Sequence, residues 1–139
     1  MTVKDFLRQY RAAQYKVELL RRDLSELEAM AEGTAIAQDG QPRGTERSDP
    51  AGNLATRIAD LRATIEWKML EAMEIRSEIM AVAEQLKDSD LFRIVYLRYL
   101  APDRTTWEEI AEDIHLSLRQ THRKHGEALV ELEGVLIKS

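Results

Sequence analysis

Arg119, His122 and Arg123 occur at i, i+3 and i+4, a spacing that puts three nitrogen-rich side chains on one side of a helix. Residues 115–126, HLSLRQTHRKHG, hold three bases, three histidines and no acid, whereas residues 105–113 hold four acids and no base. Guanidinium forks match phosphates and the guanine edge as bidentate donors, so a concentrated, acid-free basic face points to nucleic acid. The competing chemistry is a metal or pH-sensing use of His122 and His125, one turn apart. No carboxylate or cysteine completes a ligand set on that face, so neither a metal nor another cofactor is expected. His125 is expected to pack beside Gly126. Paired carboxylates, a nucleophile elbow and a phosphate-cradling glycine loop are all unrecognisable, and an enzyme is not expected.

The rest of the chain sharpens the contrast. The 139 residues carry 20 lysines and arginines against 25 acids, a net charge of −5, which excludes a surface basic enough to coat nucleic acid indiscriminately. Counted along the sequence, residues 115–126 are the single place where positive charge accumulates. The absence of cysteine excludes disulfides and thiolate metal sites. With no apolar leader and no uncharged apolar run of about 18 residues, a cytoplasmic protein without membrane contact is expected.

Two start signals place the basic segment on a helix. Thr106 stands three residues before Glu109, and Ser117 three before Gln120, so each opens a helix with a capping box. In the first, Trp107, Ile110, Ala111 and Ile114 share a side, with Trp107 a core anchor; Leu116 in the turn can plug the corner between the two helices. The second runs from Leu118 through Ala128, Leu129, Leu132 and Leu136. A short helix, a three-residue turn and a second capped helix form the helix-turn-helix pattern, in which the second helix enters the major groove. Upstream, Asp88 to Leu100 reads as one helix with Leu91, Ile94, Val95 and Leu97 turned inward and Tyr99 or Leu100 joining them, ended by Pro102.

The first 87 residues are of another kind. Apolar residues recur at Phe6, Tyr10, Ala13, Val17, Leu20, Leu24, Leu27 and Ala31, and again at Leu54, Ile58, Leu61, Ile65, Ala72, Ile75, Ile79, Val82 and Leu86. Spacings of four and three make each a coiled-coil-like seam that needs a partner helix. Lys68 interrupts the second seam, and Met69 beside it is expected to supply the missing packing; Trp67 lies next to the seam. Residues 33–53 separate the runs, with Gly33 placed as a C-cap and Asp49 or Asn53 as the next N-cap. The expected fold is therefore all-α: a long antiparallel helical hairpin over residues 1–87 with loop 33–53, followed by a small helix-turn-helix domain over 88–139. Whether the seams close within one chain or between two is left open.

LRYL, TTWEEIAEDIHLS and RQTHRKHGEALVEL together resemble the fourth region of bacterial sigma factors, which reads promoter DNA. The whole chain resembles the phage and prophage regulators of the RinA/ArpU type, with a sigma region 4-like helix-turn-helix behind a helical hairpin; PRGTERSDP, Pro42 to Pro50, resembles an element of their hairpin loop. The resemblance implies base contacts from Leu118, Arg119, His122 and Arg123, phosphate contacts from Ser117 and Gln120, and Lys124 within the same DNA-binding set. It implies a sequence-specific transcriptional regulator that binds double-stranded DNA, with the hairpin contacting RNA polymerase or another phage protein, or forming a homo-oligomer. His115 stands where the family has glycine at positive φ. Thr121 and Lys124 stand where it is apolar, which implies a weakly anchored second helix. The alternatives are a small-terminase-like DNA-packaging adaptor and a sigma-like protein-interaction module that does not bind DNA.

Overall fold

The computed structural model describes residues 1–38 and 50–138, and among these every element is helical. In chain order they are α1 (Val3–Gln38), α2 (Pro50–Ala83), α3 (Ser89–Val95), a π-helical segment (Tyr96–Leu100), α4 (Trp107–Ile114) and α5 (Leu118–Lys138). No helix among the described residues is long and apolar enough to cross a membrane.

The long helices overrun the loop expected between them. Gly33 does not cap α1, which continues to Gln38, and Asn53 does not start α2, which begins at Pro50. A proline is well placed as a first helical residue, because the N–H it lacks would have no intrahelical acceptor there. Asp49 and most of the Pro42 to Pro50 stretch lie outside the described residues. The chain divides into two compact units, one formed by Ala13–Glu71 and the other by Met1–Ala12 with Ala72–Ser139.

Within Ala13–Glu71 the two helices run antiparallel. Arg62 Nη2 meets Glu28 at 2.6 Å and Arg21 Nη2 meets the Met69 sulfur at 3.0 Å, so seven residues forward on α1 correspond to seven back on α2. Val17, Leu54, Ile58 and Ile65 are buried at the seam, as their spacing requires. Lys68 turns to Glu71 at 3.2 Å. Met69 does not fill the gap: it is 40% exposed, and Trp67 is 63% exposed.

The other unit has a core that sequence periodicity anticipates only in part. Tyr10, Ala72, Ile79 and Leu86 are buried as seam positions, but Leu7 and Ala83, outside the seams, are completely buried too. Ile94, Ile110 and Ile114 form a cluster closed by Leu97, Trp107 and Leu116, so Leu116 plugs the corner as expected. Asp88 caps α3 by accepting from the Asp90 N–H at 2.8 Å. The single helix expected from Asp88 to Leu100 changes character at Tyr96, whose carbonyl accepts from the Ala101 N–H at 2.8 Å, the i+5 bond of a π turn. That wider turn accompanies the burial of both Tyr99 and Leu100.

Candidate nucleic-acid interface

Two reciprocal caps and one strained residue position α5. The Thr106 hydroxyl accepts from the Glu109 N–H at 3.1 Å while Glu109 Oε1 accepts from the Thr106 N–H at 3.3 Å. Ser117 and Gln120 repeat the arrangement, both bonds at 3.1 Å. Between the caps, His115 takes φ 59° and ψ 42°, and its N–H and that of Leu116 satisfy the last α4 carbonyls, of Glu112 and Ala111. A left-handed histidine is tolerated at some cost in conformational energy. It turns the chain within three residues, so α5 starts directly after α4.

The sequence-derived site residues sort into two groups. Ser117, Leu118, Arg119, Gln120, His122 and Arg123 are all exposed in the first two turns of α5. Leu118 is 41% exposed, a large apolar side chain open to solvent beside the cap. Ser117 and Gln120 are engaged with each other in the cap. Arg123 lies 3.9 Å from Glu127, with both side chains more than half exposed, a pairing that water and salt readily replace. Lys124 belongs to the second group: its ammonium sits 3.2 Å from Asp90 and 3.6 Å from Asp88, at the start of α3. The Asp90 hydrogen bond, then the two carboxylate charges against a smaller opposing cost of burial, raise its pKa; the Asp88 carboxylate is held below its usual range first by the Asp90 N–H.

The expectation of a weakly anchored helix is therefore overturned. Lys124 ties α5 to α3 through charge. Thr121 is completely buried, and its hydroxyl donates to the Ser117 carbonyl at 2.8 Å, so the polar atom is satisfied within its own helix and leaves only the methyl to pack.

The histidines also separate. His125 is buried, not set beside Gly126: its Nε2 shares a 2.7 Å hydrogen bond with the Tyr99 hydroxyl, and its ring lies edge-on to Trp107 at 4.7 Å between centroids. Burial first, then the charges of Lys4, Arg98, His122 and Arg8, push its pKa down to about 4. His122 is exposed and lies against the other part of the Trp107 indole, at 4.6 Å. The Arg98 guanidinium covers the same indole at 4.6 Å. Trp107 is thus the hub joining the π segment, α4 and α5, which is the anchor role its spacing implied.

The acids preceding the basic run are spent differently. Glu109 closes the α4 cap and Asp113 binds Arg93 of α3, while Glu108 and Glu112 remain exposed on α4. What α5 offers chemically is a short, rigid, acid-free set of donors, Arg119, His122 and Arg123, beside the Ser117 cap. Sequence reasoning missed the residues that hold the π segment. The Arg11 guanidinium donates to the carbonyl of Ala101 and reaches those of Arg98, Leu97 and Asp103 at 3.4–3.5 Å, and Arg76 Nε donates to the Leu100 carbonyl at 3.1 Å. No family model, curated protein or solved structure matches the chain.

Proposed function

We propose that the protein is a sequence-specific DNA-binding regulator of transcription, of the phage type, in which α4 and α5 act as a sigma region 4-like helix-turn-helix. The observation that carries this reading is the α4–turn–α5 unit, capped at both helix starts, that presents Arg119, His122 and Arg123 from the first two turns of a helix held by Thr121 and Lys124. A helix that enters a major groove exposes donors near its N-terminus and keeps acids away from the phosphates. Nothing comparable to the promoter-melting parts of a sigma factor follows from the sequence, so the regulator would act by recruitment, with the α1–α2 hairpin or the exposed acids of α4 as the surface offered to RNA polymerase or another phage protein.

Selection of bound sequences from a random duplex library tests the proposal directly. A recovered consensus, whose binding drops roughly ten- to a hundredfold on Arg119→Ala plus Arg123→Ala, is the expected result. Weak binding to every duplex, unaffected by that double substitution, would instead favour a sigma-like module that recognises protein. A closed ring of many subunits in light scattering would favour a packaging adaptor.

A further inference from the structure

A second basic surface is assembled from residues that are far apart in sequence. Lys4, Arg8 and Arg11 stand at i, i+4 and i+7 on α1 and so form a stripe along one side of it, next to the buried Leu7 and Tyr10 that fix this end of the helix. Lys4 and Arg8 are exposed, whereas Arg11 is half-buried against the carbonyls that follow the π segment. Lys4 lines a groove with Leu129 and Glu133 of α5, which sets the start of α1 beside the later turns of that helix. From Arg11 the positive charge continues without a break: Arg11 reaches the Arg98 carbonyl, Arg98 covers Trp107, and Trp107 stacks on His122, which adjoins Arg123.

Resting on the proposed function, we infer that Arg8 and Lys4 form a phosphate-binding flank that extends the duplex contact of α5 onto α1. Arg119, His122 and Arg123 would read bases while the α1 stripe grips the sugar-phosphate backbone, adding affinity without sequence information. The acids bordering the stripe are few and placed at its ends. Asp5 is bound by the N–H of Thr2 at 3.0 Å and lies near Arg8, Glu133 borders Lys4 in the groove, and Glu127 accompanies Arg123. The depressed pKa of His125, to which Lys4 and Arg8 both contribute, is an independent sign that these cations share one positive region with α5.

The test is titration of the intact chain with two duplexes, one of mixed sequence and one recovered by selection, at several salt concentrations. Lys4→Ala plus Arg8→Ala should weaken binding to both duplexes by the same factor and reduce the slope of log affinity against log salt by about 2, near one unit per phosphate released. Arg8→Lys, which keeps the charge, should retain the slope, separating loss of charge from loss of fold. If the double variant, with an unchanged melting temperature, shows the wild-type slope, the flank is overturned while α5 binding stands. If the wild-type chain itself shows no salt-dependent binding to either duplex, the proposed function falls and the flank with it.

Discussion

His125 illustrates how a residue that invites a functional reading can be a structural one with a measurable signature. Its ring is 8% exposed and its only polar neighbour contact is the Tyr99 hydroxyl, in surroundings that carry positive charge from Lys4, Arg8, Arg98 and His122. Burial and those cations both disfavour the imidazolium, so the folded pKa, about 4, lies below the ordinary 6.5. Between these values the unfolded chain binds a proton that the folded chain refuses. Stability from this group is thus complete above about pH 6.5 and is lost as pH falls towards 4, a change of a few kcal/mol at most. Urea unfolding across that window should show the loss, and His125→Leu should flatten it; an unchanged slope in the variant would assign the acid sensitivity to carboxylates instead. The sequence showed three histidines of equal standing. Only the π turn that brings Tyr99 inward distinguishes His125 from the exposed His122, and no residue pattern announces it.

At the scale of elements, the parts written in local spacing are the parts sequence reading recovers. Both seams, both capping boxes, the left-handed His115 and the Leu116 plug depend on residues at most a few turns apart, and each is where its spacing puts it. The π segment and its support are not local. Arg11 lies 90 residues from Ala101 in sequence, and Arg76 lies 24 from Leu100. Carbonyls at the end of a helix have no partner of their own, and these stop short of α4 at Pro102, so two guanidinium groups supply the donors. Desolvation lowers the pKa of Arg11, a cost its carbonyl bonds offset. Arg11→Met should therefore destabilise the protein by on the order of 1–3 kcal/mol in urea titration. Arg11→Lys should recover only part of that loss, because one ammonium cannot span the acceptors that a planar fork reaches. Full recovery by lysine would mean that charge alone, not the fork, holds the segment.

Taken whole, the chain shows why counting along a sequence misjudges charge. The count finds one basic segment in an acidic protein, but folding adds Lys4, Arg8, Arg11 and Arg98 to it from two other places, because Leu7 and Tyr10 bury the start of α1 in the same unit as α5. The same limit applies to assembly. A heptad seam requires a partner helix without saying whose, and the two seams are satisfied within one chain: Val17 and Ile65 are buried, and Arg62 binds Glu28. A seam closed between two chains would couple unfolding to dissociation, so each tenfold rise in protein concentration would add about 1.4 kcal/mol to the apparent stability of the dimer. For helices paired within the chain, the urea midpoint followed by far-UV circular dichroism should stay constant over about two decades of concentration. A midpoint that climbs with concentration would show that the hairpin seam is shared between copies, and the exposed Trp67 on α2 would then report the same transition through its fluorescence if it lies against the second chain.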